Sequence, residues 1–222
     1  VEKQSGPTNQ EEPSYAHAVG AVYRNSDPSD IVVTAAGGLV GEVVQVWKPK
    51  QLNTFETEWG FSCMGYEISG ALGIKMAKPD QDVVVFVGDG SYLLNNTDIY
   101  SSVIYDQKLI IIVCDNGGHM VINRLQLAKG GKEYICNLRA ARATNLKFVD
   151  FENHAKSMGA NAETVSSTSE LEAAYKRAKD SDKTYVITIK THGYEWLEGT
   201  AFWESPTSVS YTHLRAHETT LD

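Results

Sequence analysis

Hydrophobic positions along the chain alternate between short continuous apolar runs and longer stretches with helical spacing. The continuous runs are strand-sized and rich in β-branched residues, and they lie at 31–36, 83–87, 109–114 and 184–189, with a shorter apolar stretch at 162–165. Strands without an alternating polar face are typical of sheets that are buried on both sides. These runs therefore predict the central strands of such a sheet.

Helical spacing follows several of these runs. A helix rich in small residues is predicted from Gly65 to Ala77 and is ended by Pro79. Three further apolar helical faces are predicted, formed by Leu93, Leu94, Thr97, Tyr100, Val103 and Ile104, by Phe151, Ala155 and Met158, and by Leu171, Ala174, Tyr175 and Ala178. Buried strands that alternate with amphipathic helices predict an α/β fold, a three-layer doubly wound, mainly parallel sheet.

Length and composition fit one folded domain with polar ends. The chain has 222 residues, which suits a domain at 15–204 between a linker-like tail at 1–14 and a different tail at 205–222. The second tail resembles a translated library-adaptor sequence, and we expect it to be foreign and disordered. The first residue is not Met and no signal pattern follows, so we expect a cytoplasmic protein or a piece of a longer one.

Charge narrows the possible partners. The formal net charge of −8 disfavours nucleic acid, which requires clustered Lys and Arg. No apolar run is long enough to cross a bilayer, so no membrane partner is expected. The three cysteines form no CxxC pair, which disfavours a zinc site. A phosphate ligand remains compatible with the charge, because backbone N–H groups and a metal can bind it.

Three loops that follow predicted strands carry the candidate chemistry, at 36–38, 88–91 and 115–118. Ligands of parallel α/β sheets bind beyond the carboxyl ends of the strands, where these loops lie. Asp89 and Asn116 offer two hard oxygen ligands, which Mg²⁺ prefers together with phosphate and water. Ser91 is predicted to cap the next helix. The pattern indicates a site for a diphosphate bridged by a metal.

Two other interpretations remain open from the residues alone. Gly-Asp-Gly and Asp-Asn-Gly-Gly are each common turns. A dinucleotide site is the main rival, because the segment 37–41 is glycine-rich and also follows a strand. That segment lacks the G-x-G-x-x-G spacing and an acidic residue at the end of the next strand.

Gly88-Asp89-Gly90 followed by Asn116 resembles the thiamine diphosphate (ThDP) motif of the acetolactate synthase and pyruvate decarboxylase superfamily. The resemblance implies that Asp89, the Asn116 side chain and the Gly118 carbonyl bind Mg²⁺. The superfamily often has Asn-Asn where this chain has Asp115-Asn116. The second Asn is retained, so the implied metal site is preserved.

The same resemblance implies contacts with the organic cofactor. Gly90, Ser91 and the Met120 N–H would meet the diphosphate. Met64 would be the apolar wedge that bends the cofactor. The Ser62 carbonyl and the Met64 N–H would hold the aminopyrimidine ring. The implied cofactors are thus thiamine diphosphate and Mg²⁺.

A narrower resemblance lies in the segments 57–67, 115–126 and 195–203, which are similar to the trihydroxycyclohexane-1,2-dione hydrolase family of inositol catabolism. It covers roughly 15–204. It implies hydrolytic C–C cleavage of a cyclic 1,2-diketone. The activating Glu would belong to a pyrimidine-binding domain of a second subunit, in a homodimer or homotetramer, so no catalytic residue is expected in this chain and the chain alone would be inactive.

Two alternative functions remain. The first is the same domain of an acetolactate synthase-like carboligase or decarboxylase. The second is a non-catalytic module that binds ThDP and Mg²⁺ without turnover. His119 follows the metal loop and is a candidate for facing the substrate.

Overall fold

The computed structural model describes residues 2–138 and 149–198. In this part of the chain six strands form one sheet in the order β2-β1-β3-β4-β6-β5, and every neighbouring pair is parallel. The strands are β1 (Ile31–Thr34), β2 (Phe55–Thr57), β3 (Val83–Gly88), β4 (Ile110–Asp115), β5 (Asn161–Val165) and β6 (Tyr185–Lys190). The predicted α/β fold is confirmed. The predicted tail at 205–222 lies outside the described residues.

Helices cover both faces of the sheet. They are α1 (Tyr15–Arg24), α2 (Gly37–Val46), α3 (Tyr66–Ala77), α4 (Asp89–Leu94), α5 (Thr97–Ile104), α6 (Met120–Ala128), α7 (Phe151–Ser157) and α8 (Thr168–Asp180). The patterns predicted α3, α7 and α8, but not α1, α2 or α6. Among the described residues, no helix combines the length and the apolar character that a membrane crossing requires.

Successive side chains of each central strand point alternately into two separate hydrophobic cores, one on each face of the sheet. Val84 and Phe86 of β3 pack with α1, α2 and α8 on one face. Val85 and Val87 of the same strand pack with α3, α5 and α7 on the other. Both faces of β3 and β4 are therefore dry, which explains why their sequences are continuous apolar runs.

The register of β3 and β4 places two polar loops side by side. Gly88 pairs with Cys114 at the last rung of the ladder. Because the strands are parallel, Asp89 and Asp115 leave the sheet at the same level of the same edge. The next residue after Asp115 is Asn116, so the two expected metal ligands become neighbours through strand pairing alone.

The prediction of one helical face from Leu93 to Ile104 was wrong, although its members lie in the helices α4 and α5. The helix breaks after Leu94, and α5 begins at Thr97. The break lies at Asn95 and Asn96, whose side-chain amides donate to the carbonyl oxygens of Gly65 and Tyr92 and so compete with the helical backbone pattern. Of the predicted face, Leu93, Leu94, Tyr100 and Ile104 are exposed.

The prediction that Ser91 caps a helix was also wrong. Helix α4 begins at Asp89, and Gly88 occupies the cap position without a side-chain hydrogen bond. Ser91 is therefore the third helical residue, and it is buried. The chain turns into the helix directly at the strand end, which leaves no extended residue between them for a serine cap.

Glu42 joins the segment after β6 to α2. Its Oε1 accepts a hydrogen bond of 2.8 Å from the Leu197 N–H, and among the described residues Oε2 has no hydrogen-bond partner. Burial raises the pKa of Glu42 to about 7, while the Leu197 N–H and the charge of Arg124 act in the opposite direction. The folded protein therefore favours the neutral form of this side chain.

We expect Glu42→Gln to flatten the pH dependence of the free energy of unfolding. The folded pKa lies above the usual value of 4.5, so the stabilisation linked to Glu42 is complete below pH 4.5 and is lost as the pH rises through about 7. Gln keeps the acceptor for Leu197 but does not titrate. Urea unfolding across this interval measures the effect, with the exposed Glu56→Gln as control. Equal pH slopes in Glu42→Gln and the parent would contradict it.

Candidate functional site

A cavity of about 240 Å³ opens at the carboxyl edge of β1, β3 and β4. Its walls come from the loops and helix starts that follow these three strands. All eight residues predicted from the sequence line it: Ser62, Met64, Asp89, Gly90, Ser91, Asn116, Gly118 and Met120. The structure thus brings together positions that lie up to 58 residues apart in the chain. His119 lines the same cavity.

Several lining residues were not predicted. They are Tyr15, Leu39, Val121, Ile122 and Leu125. The aliphatic ones carry no chemical signature, and they line the cavity because α2 and α6 both begin at its edge. The signal for Tyr15 was present but not used: Ser14 precedes it and caps α1, accepting a hydrogen bond from the His17 N–H.

Three oxygen atoms converge at the base of the cavity. The Asn116 side-chain oxygen lies 2.8 Å from the Gly118 carbonyl oxygen and 3.3 Å from Oδ1 of Asp89. None of these oxygens carries a hydrogen when Asp89 is ionised, so together they repel one another and attract a cation. Without a cation, the amide rotated by 180° is the better satisfied one, because its nitrogen then donates to both oxygens and its oxygen accepts from the Tyr15 hydroxyl. The arrangement of three oxygens is favoured only around a cation.

The spacing of these oxygens fits octahedral Mg²⁺. With metal–oxygen distances of about 2.1 Å, adjacent ligands of an octahedron lie about 3.0 Å apart. Within residues 2–138 and 149–198, no group of three or more His, Cys, Asp and Glu side chains could hold a metal ion. A metal here would therefore be held by one carboxylate, one amide and one backbone carbonyl, all hard oxygen donors.

Tyr15 helps to decide how the Asn116 amide points. Its hydroxyl lies 2.6 Å from the amide atom that faces away from Asp89. A hydroxyl can donate or accept. When it accepts from the Asn116 NH₂ group, the amide oxygen faces Asp89 and Gly118, as a metal ligand must.

The base of the cavity is electrically negative. Burial and, to a smaller extent, the charge of Asp115 raise the pKa of Asp89 to about 7, against the opposing effect of hydrogen bonds from the backbone of Gly90 and Gly118. Asp115 itself accepts from the Gly117 N–H at 3.0 Å, which holds the turn after β4. None of the described residues that line the cavity is Lys or Arg. A bound phosphate would thus depend on a cation and on backbone N–H groups.

The turn at Gly118 is held by a second segment. The His119 N–H donates to the Cys136 carbonyl at 2.8 Å, and the Leu138 N–H donates to the Gly117 carbonyl at 2.9 Å. Gly118 has φ of +141°, and a methyl group added to it would lie 2.2 Å from the Cys136 oxygen. Only glycine fits this position, because both the conformation and the close contact exclude a side chain.

Met64 and His119 meet above Gly90. A methyl group added to Gly90 would lie 2.7 Å from the His119 ring and 3.4 Å from the Met64 methyl. Met64 is 39% exposed, so it projects into the cavity instead of filling the core. Two residues earlier, Ser62 has φ of +52°, the left-handed conformation, and it lines the cavity as well.

Comparison with known proteins identifies a family model that matches residues 35–189, described as "Thiamine pyrophosphate enzyme, C-terminal TPP binding domain". Thiamine pyrophosphate (TPP) and thiamine diphosphate are the same compound. The matched span begins directly after β1, contains the other five strands except the last residue of β6, and contains every predicted site residue.

Relatives and a solved structure agree with this match. The 3D-(3,5/4)-trihydroxycyclohexane-1,2-dione hydrolase of Halalkalibacterium halodurans is 38% identical, over 76% of this chain and 27% of its own length. The enzyme of the same name from Bacillus licheniformis is 35% identical, over 92% and 33%. A thiamine diphosphate-dependent 4-hydroxybenzoylformate decarboxylase from Rhodococcus jostii RHA1 shares the fold, with a TM-score of 0.73 and 18% identity over 83% of this chain and 34% of its own. This chain spans about a third of the length of the relatives it matches.

We expect Gly118→Ala to lower the free energy of unfolding by ~1–3 kcal/mol, because its side chain would force both a strained φ and a clash with Cys136. Gly60→Ala is the matched control, since a methyl group there meets no atom within 4 Å. Urea unfolding without added ligand measures both. Equal stability of the two variants would show that the Gly117–His119 turn can move away from the Cys136 segment.

Proposed function

This chain belongs to the thiamine pyrophosphate enzymes, as their C-terminal TPP-binding domain, and on this premise we propose that it holds the diphosphate of ThDP through Mg²⁺. Asp89, the Asn116 side chain and the Gly118 carbonyl are the metal ligands. The observation that carries this proposal is the convergence of the Asp89 carboxylate, the Asn116 amide and the Gly118 carbonyl in a cavity that no Lys or Arg of the described residues lines.

The remaining lining residues are assigned to the organic cofactor. Gly90 and Ser91, in the first turn of α4, and the N–H of Met120, the first residue of α6, meet the diphosphate oxygens. First-turn N–H groups lack intrahelical acceptors and are free to donate. Met64 supports the bent cofactor, while the Ser62 carbonyl and the Met64 N–H bind its aminopyrimidine ring. When bound, ThDP supplies the electron sink for breaking a bond beside a carbonyl.

We further propose that the complete protein opens a cyclic 1,2-diketone, trihydroxycyclohexane-1,2-dione, by hydrolytic C–C cleavage. Support comes from relatives at 35–38% identity that carry the name of this hydrolase. This domain contributes position and the metal clamp. His119, exposed above Gly90, is the side chain of the cavity best placed to face the substrate.

A second domain completes the proposed active site. We propose that a pyrimidine-binding domain of a second subunit supplies the activating Glu and covers the cavity. Large apolar side chains that are exposed on this chain support a protein partner: Phe61, which precedes the lining residue Ser62, is 89% exposed, Leu94 63% and Tyr100 55%.

Removing the Asp89 carboxylate tests the metal site. In the complete protein, we expect Asp89→Ala to weaken Mg²⁺-dependent ThDP binding by about 100-fold or more, ~2.7 kcal/mol, because it deletes the only charged ligand of the set. Isothermal titration with and without Mg²⁺ measures this. Asp80→Ala, an exposed Asp before β3, is the matched control. Undiminished Mg²⁺-dependent binding by Asp89→Ala would refute the metal assignment.

Substrate choice separates the proposed activity from its alternatives. We expect the complete protein with ThDP and Mg²⁺ to consume trihydroxycyclohexane-1,2-dione with kcat/KM at least about 100-fold above that for pyruvate, because relatives at 35–38% identity carry the name of a hydrolase of this compound. Product analysis by mass spectrometry should find a linear acid. Preference for pyruvate would instead support a carboligase or decarboxylase. Binding of ThDP without turnover of either compound would support the non-catalytic module.

A further inference from the structure

Glu67 is a buried carboxylate in the first turn of α3, with 1% of its surface exposed. It does not line the cavity. Its two oxygens accept hydrogen bonds from two separate parts of the chain. The Ala36 N–H donates to Oε1 at 3.2 Å, and the Gly65 N–H donates to Oε2 at 2.9 Å. The Ser91 side chain comes from a third part of the chain and lowers the pKa of Glu67, against the larger effect of burial, which raises it.

Ala36, Gly65 and Ser91 belong to different walls of the cavity. Ala36 ends the loop after β1, Gly65 follows Met64, and Ser91 lies in the first turn of α4. Ala36 and Ser91 line the cavity themselves, as does Met64 beside Gly65. One carboxylate therefore sets the spacing between the wall assigned to the aminopyrimidine and the wall assigned to the diphosphate.

The two peptide groups on either side of the Gly65 Cα are both held by hydrogen bonds. The Gly65 N–H donates to Glu67, while the Gly65 carbonyl accepts from the Asn95 side chain at 3.2 Å. Gly65 has φ of +93°, and a methyl group added to it would lie 2.7 Å from Cβ of Asn95. The peptide next to Met64 consequently has little freedom to rotate, and the wedge position of Met64 depends on Glu67.

At this position a carboxylate fits the surrounding groups better than an amide of the same shape. It offers acceptors only, and all of its assigned partners are donors. A Gln of the same shape would turn an NH₂ group towards one of the N–H groups of Ala36 or Gly65. A buried donor would then lack an acceptor.

We propose that Glu67 is a positioning residue for ThDP, which fixes the distance between the Met64 and Ser91 walls without touching the cofactor. The inference rests on the function proposed above. It assigns to Glu67 a role in cofactor affinity that goes beyond stabilising the fold.

The test compares ThDP binding by the complete protein with that of Glu67→Gln and Glu67→Asp. We expect the Kd for ThDP at saturating Mg²⁺ to rise about tenfold for each, corresponding to the loss of one buried hydrogen bond. The KM for ThDP should rise with it, while kcat at saturating ThDP stays within about twofold of the parent. Glu67→Asp keeps the charge but is too short to reach both Ala36 and Gly65.

Glu170→Gln is the matched control. Glu170 also accepts an N–H and a hydroxyl hydrogen bond, both from Ser166, and it does not line the cavity. A purely structural role for Glu67 would lower the thermal unfolding midpoint without cofactor and leave Kd and KM for ThDP unchanged. That result in either folded variant overturns the inference. Absence of ThDP binding by the parent protein overturns the proposed function itself.

Discussion

The parallel pairing of β3 with β4 is the constraint on which the site depends. Both strands are buried on both faces, so their register is fixed by packing against two cores and not by the polar loops that follow. A slip by one residue would send every apolar side chain to the opposite face. The pairing of Gly88 with Cys114 is thus stabilised by the whole interior. The positions of Asp89 and Asn116 relative to each other are therefore fixed by the strand pairing, without any attraction between the two side chains.

The charges of the site follow from this arrangement. The rigid carboxyl edge of the sheet can hold oxygen atoms close together although they repel, because the free energy of this repulsion is offset by the packing of the whole sheet. Asp89, Asn116 and the Gly118 carbonyl form such a group, with Asp115 adding negative charge nearby. If this cavity binds an anion, a cation is required between the anion and these oxygen atoms. Glu67 adds a second buried carboxylate, which is matched by hydrogen-bond donors instead of a metal.

Sequence patterns predicted the parts of this structure that local chemistry determines. Continuous β-branched runs identified β1, β3, β4 and β6, because burial on both faces allows no alternation. Glycine and acidic residues directly after those runs identified Asp89 and Asn116. Tyr15 and the aliphatic lining residues of α6 were missed, since they reach the cavity only through tertiary packing. The Leu93–Ile104 segment was predicted wrongly as one helical face. Apolar residues at helical spacing indicate a surface that avoids water, but the spacing does not show whether the same chain or another molecule covers that surface.

The exposed apolar side chains of this segment also have a practical consequence. Leu94, Tyr100 and Ile104 lie largely in water in the domain by itself, and each Å² of apolar area left uncovered costs about 25 cal/mol. A recombinant preparation of these residues alone would be stabilised by covering these side chains with another copy of itself. Its sedimentation and light scattering would then vary with concentration, and mild detergent would reduce both. Co-expression with the rest of the protein would be the gentler route to a monodisperse sample.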